Sequence, residues 1–432
     1  MAMCTGKGYR NQVLYSIFVR SYSEEGTFEA VRRDLDRIQS LGVDMIWLMP
    51  IHPLGEQARR GTLGSPYAIR DYRAVNPELG TVEDFRNLVD EIHNRGMKCI
   101  IDVVYHHTAP DSWLAEHHPQ WFCRRQDGSV GSRVGDWTDV IDLDYSQPEL
   151  WDYQIETLKQ WATIVDGFRC DVASLVPLAF WLKARQEVEK VRPGCFWLAE
   201  SVEPDFILDN RAHGLTALAD SELFHVFDVV YEYDVYDGFA GYLESRVSLQ
   251  HYAEEVARQE HLYPDNYVKL RFLENHDRRR VRALVKDQRT LRNWTAFLYF
   301  QKGMTLLYNG QEVASDHQLS LFDKDTIGWQ TETDLSAYLR RLYWLKKDPL
   351  FTDSRYTVIA LSQDILLAKH EKDDQKLVGL FFLGELPETV MIPVPDGTYE
   401  NLATGSQLQI VDGSVHPDGD PIILAVSPSE EK

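Results

Sequence analysis

Short apolar runs and amphipathic runs alternate along this chain from residue 12 to about residue 345, and that alternation restricts the fold more than any other feature. "QVLYSIFVRSY" (12–22) is strand-like; "TFEAVRRDLDRIQSLG" (27–42) opens on Thr27 as an N-cap and sets Val31, Leu35 and Ile38 along one stripe. "DMIWLMPI" (44–51) follows as a buried strand, then "TVEDFRNLVDEIHNRG" (81–96), with Phe85, Leu88, Val89 and Ile92 at helical spacing and a stop at Gly96. "MKCIIDVVYHH" (97–107) is the next strand, followed by a helix over 148–164, a strand over 165–171, a helix over 178–191 and a strand over 195–200. The stretch from 205 to 265 is poorly patterned, with a strand expected near "LTALADSE" (215–222). Beyond it come a strand in 267–277, a helix over 287–301 and a strand in 303–312. Strands alternating with helices predict an α/β fold whose parallel sheet closes as a (β/α)8 TIM barrel. An open doubly wound sheet is the structural competitor, but no Gly-rich phosphate loop follows the first strand.

From about Tyr356 the texture changes to short β-like runs, "YTVIALS", "ILLAKHE", "LVGLFFLG" and "ETVMIPV", divided by Gly, Pro and Asp turns. The expected organisation is a barrel over 1–350, with a short insert at 108–145 after its third strand, a C-terminal β-sandwich over 351–428, and a disordered tail over 429–432. The 67 acidic residues exceed the 45 basic ones, giving a formal charge of −22 that repels a phosphate backbone or an anionic membrane surface. Neither nucleic acid nor membrane is therefore expected as a partner. The first residues carry no apolar segment with a cleavage site, which predicts a cytoplasmic protein. Five cysteines, Cys4, Cys99, Cys123, Cys170 and Cys195, lack the spacing of a zinc site or a disulfide framework and are expected as reduced thiols.

In a closed parallel barrel, chemistry sits at the C-terminal ends of the strands. Those ends read "DVVYHH" with Asp102 and His107, "DGFRCDVA" with Arg169 and Asp171, "FWLAES" with Glu200, and "LENHD" with His276 and Asp277. Within 166–173, strand alternation puts Phe168 and Cys170 on one face and Arg169 and Asp171 on the other, where apolar side chains usually sit. Buried charges cost several kcal/mol each unless paired, so the pair needs a reason. A salt bridge on a half-exposed strand is one; four titratable strand ends converging on one mouth point instead to a site. Arg169 favours an ionised Asp171, whereas Glu200 ends an apolar run in which desolvation favours the protonated acid. Two carboxyls driven apart in this way divide into nucleophile or base and general acid, the division that glycosidic cleavage requires.

"IIDVVYHHT", "DGFRCDVA", "FWLAES" and "LENHD", in that order, resemble the four hallmark segments of the α-amylase family, glycoside hydrolase family 13. "SPYAIRDYRAVNPELGT" (65–81) is similar to its Tyr-containing second loop, and "GMTLLYNGQE" to its eighth strand. The resemblance implies that Asp171 is a nucleophile forming a covalent glycosyl-enzyme, Glu200 the acid/base, and Asp277 a third carboxylate gripping sugar hydroxyls. By the same resemblance Arg169 orients the nucleophile, while Tyr67, His107 and His276 hydrogen-bond or stack on the bound ring. The implied activity is retaining hydrolysis of α-1,4-linked malto-oligosaccharides or α-glucans by double displacement. An α-glucan transglycosylase or α-1,6-glucosidase would use the same intermediate, and a non-catalytic glucan-binding or partner protein is the reading from another class. Val172 after the nucleophile and Ser174 in place of a lysine leave the linkage open.

Many members of that family hold a structural calcium between barrel and insert. One of its ligands is an Asn before the first segment's His, where this chain has His106; another is a His four residues after the nucleophile, where it has Leu175. Calcium prefers oxygen ligands, so the site is expected to be absent and no cofactor is expected. His106 and His107, as adjacent strand residues, are expected to point to opposite faces, so no transition metal is expected either. Trp113, Trp121, Phe122 and Trp137 in the insert either stack on sugar faces or form a small core.

Overall fold

A computed structural model describes residues 5–125, 127–133 and 137–426. Eight strands close into a barrel: β1 (Val13–Ile17), β2 (Met45–Leu48), β3 (Lys98–Val103), β4 (Gly167–Cys170), β5 (Phe196–Ala199), β6 (Val229–Tyr231), β7 (Lys269–Arg271) and β8 (Met304–Tyr308). Every neighbouring pair is parallel, and β8 pairs with β1 to complete the ring. The sequence-predicted alternation is therefore realised, with strands shorter than their apolar runs.

Three local expectations change. The sixth strand is Val229–Tyr231, not 215–222; the latter runs irregularly into a short helix at Asp220–Leu223, where Asp220 pairs with the buried Lys269. Apolar "VFDVVYEYDVYDGF" flows into the helix Tyr233–Leu243 without a breaker, which hides a three-residue strand from any pattern count. The helix expected over 27–42 is two, Phe28–Arg33 and Leu35–Ser40, divided at Asp34, whose carboxylate accepts from Arg37 at 2.8 Å and from Tyr22. Lastly, β3 ends at Val103, and His107–Thr108 pairs instead with Ile141–Asp142 inside the insert.

Helix starts follow the sequence signals. Thr81 caps Val82–Asn94 and exchanges hydrogen bonds with Asp84 in a capping box, while Phe85, Leu88, Val89 and Ile92 form its buried stripe. In the C-terminal part, β9 (Arg355–Ser362), β10 (Ile365–Lys372), β11 (Gln375–Phe382) and β12 (Ile422–Val426) make one antiparallel sheet. Alternation gives this sheet two apolar faces. Leu366, Ala368, Leu377, Phe381 and Ile423 join the barrel's core, and Ile365, Leu367, Val378, Leu380, Phe382, Ile422 and Leu424 build a second core with Ile392, Val394, Ile410 and Val415. The helix Gln288–Phe300 is the common wall, with Phe297 5.1 Å from Phe381. Among the described residues no helix is long and apolar enough to cross a membrane. Cys99, Cys123, Cys170 and Cys195 are free and buried; Cys4 and the expected disordered tail 429–432 lie outside the described residues.

Candidate active site

Arg169 on β4 points into the barrel, fully buried, with its guanidinium 5.0 Å from the Trp47 ring and 5.6 Å from that of Tyr231. A cation there must be paired, and it meets three acids. Its Nη1 donates to Asp102 Oδ1 and Oδ2 at 2.9 and 3.0 Å and to Asp171 Oδ1 at 2.7 Å. Its Nη2 lies 2.5 Å from Glu200 Oε1. Asp102 reaches it because the two are direct cross-strand neighbours on β3 and β4. The sequence pairs Arg169 with Asp171 alone; the folded barrel hangs three carboxylates on one guanidinium.

One positive charge does not suffice for three buried negative ones. Burial raises all three carboxyls against the opposing pull of Arg169: Asp102 to about 6, Asp171 to about 7 and Glu200 to about 8. Asp171 is thus not kept in the ordinary carboxylate range as the sequence suggests. Glu200 nevertheless holds its proton more tightly than Asp171, so the expected order of the two survives.

The spacing of these acids is fixed by a sharp turn. Val172 has φ 35°, a left-handed conformation that a β-branched residue rarely adopts and that costs about 1–3 kcal/mol. That turn aims the Val172 N–H at Glu200 Oε2, 2.8 Å away. Asp171 Oδ2 makes no hydrogen bond among the described residues and is left for a reacting partner.

Asp277 arrives on the loop after β7. Asn275 Oδ1 accepts the Asp277 N–H at 2.9 Å, and Asn275 Nδ2 donates to the Tyr233 hydroxyl at 3.0 Å. Glu274 clamps the same loop by accepting from Arg280 Nη1 and the Val281 N–H, both at 2.7 Å. The Asp277 side chain is 43% exposed, whereas those of Asp171 and Glu200 are 8% and 6% exposed. Desolvation works against ionising Asp277, but His276 and Arg169 outweigh it, and its pKa falls below the ordinary value. His276 Nε2 lies 3.1 Å from Asp277 Oδ2 and 2.6 Å from the Tyr67 hydroxyl, and its ring stacks on Tyr67 with centroids 5.5 Å apart. The Tyr67 hydroxyl in turn donates to Asp102 Oδ2 at 3.3 Å. Six of the seven residues singled out in the sequence thus meet in one contact network.

His107 stands at its edge. Its Nδ1 is 3.2 Å from His106 Nδ1, its ring is 5.2 Å from that of Trp137, and its Nε2 has no hydrogen-bond partner among the described residues. The two imidazoles face each other rather than opposite sides, because β3 has ended before them; burial lowers both to about 3. Trp121 and Phe122 are buried within the insert, and Trp113 stacks on His117 and Tyr153, so three of the four insert aromatics singled out in the sequence form local structure.

His106 and Leu175 line a single cavity of about 280 Å³ between barrel and insert, together with Arg133. The nearby Asp142 accepts the Arg133 N–H at 2.7 Å and lies 3.5 Å from its guanidinium Nε. Asp144 lines the same cavity and Asp142 Oδ1 is buried with no hydrogen-bond partner among the described residues, but an imidazole, an isobutyl group and a guanidinium stand where calcium would need further oxygen donors, so the set fits that ion poorly.

Asp102, which the strand ends expose without a role, contacts both Arg169 and Tyr67. Its signal was present: a lone charge in "CIIDVV" in register with a lone charge on the next strand. The turn at Val172 and the Asn275 support have no comparable signature.

Residues 12–130 and 134–350 match the family model for the α-amylase catalytic domain, and 357–424 match that for the bacterial α-amylase C-terminal domain. The crystal structure of an α-amylase from Lactobacillus plantarum is 44% identical, with a TM-score of 0.95 over 97% of this chain and 100% of that one. That of a noncanonic maltogenic α-amylase from Thermotoga neapolitana is 32% identical, with a TM-score of 0.85 over 97% and 99%. α-Amylase MalA of Haloarcula japonica is 26% identical over 90% of this chain, which spans only 58% of that protein's length.

Proposed function

The chain belongs to the α-amylase family, and from that premise we propose that it is a retaining hydrolase of α-1,4-linked glucans and malto-oligosaccharides. The observation that carries the reading is the shared guanidinium: Arg169 holds Asp171 and Glu200 side by side while their proton affinities differ.

In the first step the free Oδ2 of ionised Asp171 attacks the anomeric carbon while Glu200 passes its proton to the departing glycosidic oxygen. The carbon–oxygen bond breaks as the glycosyl-enzyme bond forms. Arg169 stays on Oδ1, so the attacking carboxylate is oriented before substrate arrives. In the second step Glu200, now ionised, takes a proton from water, which attacks the same carbon and frees Asp171. Asp277, exposed and ionised, accepts from the sugar hydroxyls, and the stacked Tyr67–His276 pair supports the ring. Two inversions leave the product in the α configuration.

Proton NMR of maltoheptaose with the wild type and Asp171→Asn tests this. Shorter sugars that appear first as α-anomers, with the wild type only, are the expected result; β-anomers would overturn the retaining mechanism, and longer sugars would make transfer the main reaction.

We also read the protein as calcium-independent at the barrel–insert junction and as cytoplasmic. Arg133 on Asp142 supports the first, and the free thiols Cys99, Cys123, Cys170 and Cys195 support the second.

A further inference from the structure

The segment 55–66 leaves the end of β2 and leads to Tyr67. Its base is tied to the insert: the Glu56 N–H donates to Asp111 Oδ2 at 2.8 Å, and Ala68, Ala109 and Val140 share a small apolar cluster with Trp137. Its far side is tied to the loop after β8. The Leu63 N–H donates to the Phe322 carbonyl at 2.8 Å, and Thr62 donates through its N–H and hydroxyl to Asp323 Oδ1 at 2.9 and 2.8 Å. The loop after β1 locks both. Arg20 Nη1 donates to the Gly64 carbonyl at 3.0 Å and the Leu321 carbonyl at 3.4 Å, and Lys324 Nζ donates to the Arg20 carbonyl at 2.9 Å. Three loops are thus knitted into one strap along one side of the mouth.

The strap's position follows from the strand order. β8, β1 and β2 are consecutive, and β4 and β5, which carry Asp171 and Glu200, lie across the ring from them. Glu200 protonates the departing group, so the leaving portion of a bound glucan runs out on the β5 side and the glycone runs toward the strap. Gly64 is three residues from Tyr67, the platform beside the reacting sugar, so the strap stands at most about 11 Å from it. Arg60, its guanidinium 4.2 Å from the Phe322 ring centroid, has no hydrogen-bond or ion-pair partner among the described residues, and its donors are available to terminal hydroxyls.

Resting on the hydrolase reading, we propose that the 55–66 strap closes the glycone end of the cleft. The enzyme then admits glucans by their non-reducing ends and releases short products of fixed length rather than cutting within chains.

The test compares 4-nitrophenyl maltoheptaoside with the same compound carrying a 4,6-O-ethylidene block on its non-reducing glucose, products being separated by chromatography. The blocked compound is expected to be cut at less than about a tenth of the rate of the free one, a loss of about 1.4 kcal/mol in transition-state binding. Asp323→Ala, which releases Thr62, is expected to narrow that gap and lengthen the products. Equal cleavage of both compounds by the wild type overturns the strap proposal and leaves the hydrolase reading standing. Cleavage of neither overturns both.

Discussion

At the scale of single residues, the site turns on how protons are shared among acids around one cation. In the proposed mechanism Asp171 is ionised to attack and Glu200 protonated to donate, and burial has raised them to about 7 and about 8. Activity therefore rises with pH as Asp171 loses its proton and falls as Glu200 loses its own. A bell-shaped kcat/KM profile is expected, peaking between these values and reporting apparent constants of the coupled pair. Glu200→Gln should lower kcat by about 10²–10⁴-fold and flatten the alkaline limb. An unchanged alkaline limb in that variant would assign the limb to another group. Stability carries the opposite sign from the usual carboxylate. Asp102, Asp171 and Glu200 all bind protons more tightly folded than unfolded, so their contribution is full below the unfolded carboxyl range and is lost as pH rises through about 6 to 8.

At the scale of elements, the alternation was legible where a breaker or a cap bounds the runs, as at Thr27, Thr81 and Gly96. Where no breaker separates β6 from the helix after it, the sequence misplaces the strand; the missing information is tertiary, since Lys269 recruits Asp220 from far along the chain. The acids proposed as catalytic were legible as charges within apolar runs, but Val172's left-handed turn was not, because nothing in "DVAS" demands it. β4 shows how finely an element must sit. Gly167 opens the strand, and a Cβ there would lie 2.3 Å from the Phe196 carbonyl oxygen and 2.7 Å from the Phe196 Cβ. Neighbouring backbone cannot yield as a flexible side chain can. Gly167→Ala is expected to destabilise the fold by about 1–3 kcal/mol in urea unfolding, as overpacking does. Because Arg169 and Asp171 ride on the same strand, kcat should fall with it, by up to about 10²-fold for an ångström of displacement. Loss of stability with kcat intact would mean that β4 relaxes without moving the acids.

At the scale of the whole molecule, three bodies of structure must be held together: the barrel, its insert and the C-terminal sheet. The sheet needs no special device, since one of its faces continues the barrel core through Phe297, Phe300 and Phe381. The insert joins the same core through Leu114, Trp121, Phe122, Ile141 and Leu143, and beside that contact a polar cavity remains. There Arg133 supplies a cation to Asp142 within the insert itself, beside His106, while Leu175 brings a hydrocarbon surface from the β4 side of the same cavity. A divalent ion at this position would have to displace a guanidinium and accept an imidazole and an alkyl group as neighbours, against its preference for oxygen. An ion bound at a thousand times its dissociation constant adds about 4 kcal/mol to folding, and a chelator would remove it. For this chain the melting temperature in excess EDTA is expected to match that in millimolar calcium chloride within about 1 °C, with hydrolysis rates equal in both. A fall of several degrees on chelation, with stoichiometric calcium in the untreated protein by elemental analysis, would show that Arg133 does not substitute for the ion.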